Sequence, residues 1–406
     1  MTAAPASSSR LTELDWVRIA AFGLLIAYHL GMFYVPWDWH VKSPRPQAWL
    51  EEPMRLLNPW RMSLLFVVSG AATALLAGGG GAAGSTLAAR SRRLLLPLLL
   101  GMAVIVPPQA YLEVVEKVDY RGSYLDFMRL YATAYGGFCR GSDCLVLPTW
   151  NHLWFLPYLW LYTMLALACA GGRWAAWRGW AALGRGARLL WAPWLVFALW
   201  RVLLAPHFPF THNLVWDWYG HALYASMFVL GMALFGSRDD RHGAWAAAVR
   251  LRWAALLAAL AGHVVLRWGL PALGVTSTET LPEPVVAALR SLSALRQWAP
   301  IVAVLGFARV HLAGRDGPAR RWLTEAVFPF YIVHQTAIVI AAHLLARRGW
   351  PLGLEALAVV VATLAACAVT FAIARRIEPL RPWFGLARRD PAPRHRASGA
   401  QGELRA

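Results

Sequence analysis

The chain has 406 residues, 58% of them hydrophobic and 15% charged, with 23 tryptophans and a formal charge of +18. No soluble core absorbs that apolar fraction, so water is excluded as the main solvent and an integral membrane protein is expected. Membrane topology and attraction to anionic lipid account for the positive charge, so nucleic acid is not expected as a partner.

Residues 1–13 are small, polar or basic and read as a disordered N-terminus. The first apolar run follows from Leu14 to Tyr34. It is too long for a cleavable signal and ends in GMFYVPWDW, so it is expected to remain as a helix. Further runs of spanning length lie at Trp60–Ala77, Leu94–Leu112, His152–Ala170, Leu189–Leu204, Tyr219–Phe235, Trp253–Trp268, Trp298–Leu312, Ala326–Leu345 and Leu354–Ala374. The expected fold is all-α, a polytopic bundle of about ten transmembrane helices over residues 14–376. No internal repeat stands out. GGGGAAGS at Gly78–Ser85 reads as a flexible hairpin, and the basic tail, residues 377–406, as largely disordered.

Orientation follows from the loop arginines. Placing the N-terminus inside also places Arg90, Arg92 and Arg93 inside, then Arg173, Arg178, Arg185 and Arg188, then Arg238, Arg241, Arg250 and Arg252, then Arg315, Arg320 and Arg321, and finally the tail. The opposite loops are poorer in positive charge, so both termini are expected in the cytoplasm. Cys139 and Cys144 lie in a long outer loop and can form a disulfide if that loop faces an oxidising compartment; Cys169 and Cys367 read as packing residues inside helices. No residue spacing suggests a metal site.

The first helix carries Arg18 and His29 within one apolar run. Ionisable residues inside a span are costly to insert and mark function by default. The eleven-residue separation puts both side chains on one side of the helix, roughly 16 Å apart along its axis. Asp15 stands one turn before Arg18 and can neutralise it. The structural alternative is an arginine held by backbone carbonyls and a histidine bonded to a neighbouring helix.

Other polar residues fall in short phrases: LDWVR at Leu14–Arg18, HVKS at His40–Ser43, RMSLLFVVSG at Arg61–Gly70, RSRR at Arg90–Arg93, NHLWFL at Asn151–Leu156 and FPFYIVHQ at Phe328–Gln335. In order and spacing they resemble the membrane-bound acyltransferase-3 family over nearly the whole chain, and HVKS resembles its glucan-modifying branch. One departure is Leu65 before Phe66, where the family often has a second phenylalanine.

The resemblance implies a multi-pass protein of a bacterial inner membrane that transfers an acyl group, succinyl or otherwise acetyl, from cytoplasmic acyl-coenzyme A to a hydroxyl of a periplasmic glucan or other envelope glycan. It implies that His29 is catalytic and that Arg90 and Arg93 serve the coenzyme; Arg18, expected in the same catalytic group, is suited to hold the pantetheine or phosphate end, with Asp15 fixing its orientation. Guanidinium groups bind phosphate oxygens in bidentate fashion, so Arg90, Arg92 and Arg93 suit the coenzyme phosphates. An imidazole at His29 can take the proton of an attacking hydroxyl or carry the acyl group itself. Arg61, His40, His152 and His334 are candidate substrate contacts, with Arg61 suited to an oxyanion or a free carboxylate. Acyl-coenzyme A is expected as a substrate, with no tightly bound cofactor. A transporter or flippase of glycan or lipid-linked substrate is the rival reading, since polar residues in helices also mark translocation paths.

Overall fold

Glu13 and Asp15 occupy the first turn of helix α1 (Thr12–Tyr34), where the helix dipole favours acids, and most of its remaining positions are apolar. The computed structural model describes residues 11–77, 83–170, 181–236, 243–275 and 277–389. Its helices continue as α2 (Glu51–Leu57), α3 (Arg61–Ala77), α4 (Ala83–Leu100), α5 (Pro107–Lys117), α6 (Tyr124–Ala132), α7 (Phe155–Ala170) and α8 (Arg188–Leu203). Then come α9 (Trp218–Phe235), α10 (Ala244–Val264), α11 (Glu283–Leu312), α12 (Pro318–Leu345) and α13 (Leu352–Arg376).

Among the described residues, seven helical stretches are long and apolar enough to cross a membrane: Thr12–Tyr34, Ser85–Lys117, Trp218–Phe235, Ala244–Ala272, Glu283–Leu312, Pro318–Leu345 and Leu352–Arg376. The protein is thus an all-α, multi-pass membrane protein. The three other expected spans are helices of 17, 16 and 16 residues, α3, α7 and α8. Helices α10 and α11 start well before the apolar runs at Trp253 and Trp298. Their leading turns are rich in Ala, Leu and Arg, strong helix formers whose charges interrupt a hydropathy window without interrupting a helix. The N-terminal residues 1–10, the glycine run 78–82, Arg173, Arg178, Arg238, Arg241 and the tail from Asp390 lie outside the described residues.

The bundle packs α10 on α11, α9 on α3, α12 on α13, α11 on α8, and α1 on α12. Helices α3 and α9 meet backbone to backbone: a Cβ at Gly70 would lie 1.9 Å from Phe228 O, and one at Gly231 2.0 Å from Val67 O. Lipid offers no hydrophobic drive for helix association, so such close approach supplies the packing instead.

Helix α4 passes through a π-helical turn at Gly101–Ile105 into α5, which opens with Pro107 and Pro108. Prolines lack an N–H, so carbonyls just upstream lose donors. Two side chains of other elements stand against this turn: Tyr131 Oη lies 2.9 Å from Met102 O and 3.0 Å from Thr149 O, and Thr336 Oγ1 donates to Ile105 O at 2.7 Å, the Gln109 amide being turned to Val106 O.

The segment after α5 folds over one end of the bundle. Ser123 and Asp126 form a capping box at the start of α6. Phe127, Tyr131, Phe138 and Leu147 pack on Ala110 and Val114. A two-residue hairpin pairs Cys139–Arg140 with Asp143–Cys144, and the two cysteines are joined by a disulfide. Cys367 is a buried free thiol. At the opposite end residues 378–384 form a 3-10 turn in which buried Arg381 donates to Ala387 O (2.6 Å) and Arg375 O (2.9 Å) and reaches Glu325 at 3.4 Å. The chain is therefore folded against α12 as far as this turn.

Candidate active site

His29, near the end of α1, meets His334 of α12, with Nδ1 and Nε2 2.8 Å apart and the rings stacked. His334 Nδ1 lies 2.8 Å from Tyr331 O and 3.2 Å from Phe330 O. Those carbonyls only accept, so Nδ1 of His334 carries the proton and its Nε2, in the neutral ring, accepts from His29 Nδ1. In the neutral pair the proton-free nitrogen of His29 is therefore Nε2. His152 stands beside both rings, 6.4 Å from His29 and 5.1 Å from His334 by centroid. It donates from Nε2 to Ile332 O at 3.1 Å, and its own carbonyl accepts from Tyr331 Oη at 2.7 Å.

His40 joins this group through Gln335, whose amide donates to His40 Nε2 at 2.9 Å and to Gln109 Oε1 at 3.0 Å. The other nitrogen, His40 Nδ1, donates to Glu113 at 2.5 Å, and Glu113 also accepts from Lys117 at 2.9 Å. The rest of the HVKS phrase closes the end of α1. Lys42 Nζ donates to Met32 O (2.5 Å) and to Val35 O, and the Ser43 amide donates to Phe33 O at 3.0 Å. Burial pushes the Lys42 ammonium down to about 8.

A cavity of about 400 Å³ opens beside His29, its walls including Arg61, His152, Arg201, His212, Arg296 and Gln297. The Arg61 guanidinium sits 3.4 Å over the Tyr28 ring and donates to Asn58 Oδ1. Trp154 stacks on His212 at 4.1 Å. Burial holds the His212 imidazole below its usual range, against the nearby Asp217 charge and with that of Arg61.

The other predicted residues lie at the far end of α1. Asp15 is 3.6 Å from Arg18 and pairs with Arg320, which also meets Asp316 at 2.8 Å. Arg18 reaches Thr324 O at 3.5 Å. On α4, Arg90 donates to Thr73 Oγ1 at 3.3 Å and lies within reach of the charges of Arg93 and Arg18. Arg92 and Arg93 are exposed. The structure therefore brings His29, His334, His152, His40 and Arg61 together at one end, and Arg18, Arg90 and Arg93 at the other.

Sequence reasoning passed over Arg201, Arg296, His212, Gln109 and Glu113. Gln109 had a signal, an amide inside an expected span. Arg201 and Arg296 had a fainter one, positive charge toward the side expected to be poor in it. His212, to which no role was assigned, had none.

A histidine pair set against a cavity lined by guanidinium groups, inside a bundle of apolar helices, defines a membrane-embedded protein with clustered histidines and arginines at one end and further arginines at the other. The chain belongs to the acyltransferase-3 family: the model described as an acyltransferase domain matches residues 11–375, which makes this protein a membrane acyltransferase. Among curated proteins it is similar to glucans biosynthesis protein C of Escherichia coli O1:K1 / APEC, of strain E24377A / ETEC and of strain HS. Each is 33% identical over 66 residues, 16% of this chain and 17% of the relative. The match thus spans only 17% of the length of those relatives. No solved structure matches.

Proposed function

We propose that the protein moves an acyl group, succinyl or otherwise acetyl, from cytoplasmic acyl-coenzyme A to a hydroxyl of a periplasmic glucan or another envelope glycan, in a bacterial inner membrane with both termini in the cytoplasm. The observation that carries this reading is the hydrogen-bonded order Tyr331 O, His334, His29, which leaves a lone pair on His29 Nε2 at a cavity wall. An attacking hydroxyl gives its proton to Nε2 as its oxygen bonds to the thioester carbonyl; collapse of that adduct breaks the carbon–sulfur bond and expels the coenzyme thiolate, which takes the proton from Nε2 and restores the neutral imidazole. Arg61, on the same cavity, is placed to offset charge on the carbonyl oxygen.

At the opposite end Arg90, Arg92 and Arg93 would take the coenzyme phosphates, with Arg18 beside them oriented by Asp15. Arg18 and His29 are roughly 16 Å apart along α1. A pantetheine arm is the right kind of tether to cross that span, holding phosphates at one end and the thioester at the other. His40 and His152 flank the acceptor side of this scheme.

The test is release of free coenzyme A from succinyl and acetyl thioesters by the purified protein in lipid nanodiscs, with a glucan acceptor. The parent is expected to release it, and His29→Ala to lose turnover by about 10²–10⁴-fold while remaining folded. Turnover retained in a folded His29→Ala protein would refute the role of His29. Release absent from a parent shown to bind the coenzyme, across a panel of glucan and other hydroxyl acceptors, would refute the transfer reaction.

A further inference from the structure

Three guanidinium groups converge on the cavity beside His29, from three different helices: Arg61 of α3, Arg201 of α8 and Arg296 of α11. The residues lining that cavity include no carboxylate. Carboxylates nearby pair with other groups, although Glu52 Oε2 is buried without a hydrogen-bond partner, 3.9 Å from His263. Glu52 pairs with Arg267 at 2.7 Å, Glu51 with Arg55 at 2.6 Å, and buried Asp217 accepts from Tyr158 Oη at 2.7 Å and from the backbone N–H of His212 at 3.3 Å. Arg201 uses one nitrogen on Tyr219 Oη at 3.1 Å, and Arg296 has a long contact of 3.5 Å with His263. Arg201 and Arg296 feel each other's charge. The Nε donors of Arg61 and Arg296 are buried without a hydrogen-bond partner.

Like charges gathered at a partly dehydrated wall repel, and buried donors left unpaired cost free energy. An anion between them reverses both terms, because guanidinium binds carboxylate and phosphate through paired N–H donors. The cavity is of the size that holds a small organic group.

We infer that Arg201 and Arg296 form an anion subsite that takes a carboxylate or phosphate group of a reactant while its reacting carbon or oxygen lies at His29. The choice of reactant rests on the acyl-transfer reading; the binding of an anion does not. Two sources share this chemistry: the free carboxylate of a dicarboxylic acyl group, or an acidic substituent on the acceptor.

The first arm of the test needs no turnover. Binding of radiolabelled succinate to the full-length protein in nanodiscs is measured at fixed ionic strength, for the parent, Arg201→Gln, Arg296→Gln, Arg296→Lys and the exposed outer-loop control Arg121→Gln. Saturable binding is expected in the parent, displaced by inorganic phosphate but not by neutral succinamide. It should weaken by about tenfold or more in both Gln variants and be kept in Arg296→Lys and Arg121→Gln. No saturable binding to the parent, or equal binding in all variants, overturns the subsite.

The second arm compares KM for succinyl against butyryl thioesters, and for carboxylated against neutral disaccharide acceptors. A rise in KM confined to the charged donor or to the charged acceptor supports the subsite and names the source. Equal rises for charged and neutral partners overturn it. A parent that binds succinate yet releases no coenzyme from any thioester sinks the acyl-transfer reading and leaves the anion subsite standing.

Discussion

His334 does two things for His29: it accepts from Nδ1, and its own Nδ1 is held by two carbonyls of the preceding turn. The first contact selects the His29 tautomer and the second selects that of His334, so backbone geometry in α12 sets which nitrogen of α1 is basic. Removing the acceptor in His334→Ala should lower kcat by about 10²-fold with KM little changed. His334→Gln retains a carbonyl acceptor in reach of Nδ1 and should recover part of the loss. A change in KM alone, or a Gln variant as slow as the Ala variant, would make His334 a packing residue. The face shared by Arg18 and His29 was legible because helical periodicity is local. The meeting of His29 with His334 was not, because 305 residues separate them and only tertiary packing joins α1 to α12.

Among helices, the crossing of α3 and α9 depends on two glycines whose missing side chains let carbonyls of the partner helix approach. A valine at Gly231 would have to occupy the place of Val67 O, so the helices must part. Gly231→Val should destabilise the folded protein by about 1–3 kcal/mol or more. Gly23→Ala, where a Cβ meets nothing within 4 Å, should not. Thermal unfolding in detergent compares the two; equal midpoints would show that the crossing tolerates separation. Element positions were legible wherever a span was almost wholly apolar, as in α13, where Glu355 near its start is the exception. They were misjudged where a helix began amphipathic, as in α11, whose charged first half carries Arg296. That boundary left Arg296 outside the expected span, where an arginine reads as a surface anchor, although it lines the cavity beside His29.

For the molecule as a whole, α1 sets the Asp15 and Arg18 cluster apart from the histidine cavity, and the loops divide the same way. Arg315 joins the cluster end, where Trp16 Nε1 donates to its carbonyl at 2.9 Å, and Arg121 belongs to the segment that folds over the cavity end. Single cysteines replacing these residues should label with an impermeant maleimide from opposite faces, Arg121→Cys from the periplasm of intact cells and Arg315→Cys only after the inner membrane is opened. Labelling of both from one face would reverse or break the proposed orientation. Charge distribution is where the proposed orientation was legible as an expectation, because loop arginines act without regard to fold. The cavity was not, because its walls come from helices that are distant in sequence.

The carbonyls freed at the π-helical turn bear on biogenesis. Met102 O waits for Tyr131, 29 residues later, but Ile105 O waits for Thr336, 231 residues later. Ribosome and insertion machinery deliver the third span to lipid long before α12 exists, and hydrocarbon offers that carbonyl nothing. Docking of α12 then brings the Thr336 hydroxyl to Ile105 O as its donor. The helix that brings His334 to His29 is also the one whose Thr336 reaches the backbone of the third span, so the meeting of the two histidines and the closing of that backbone contact are a single event.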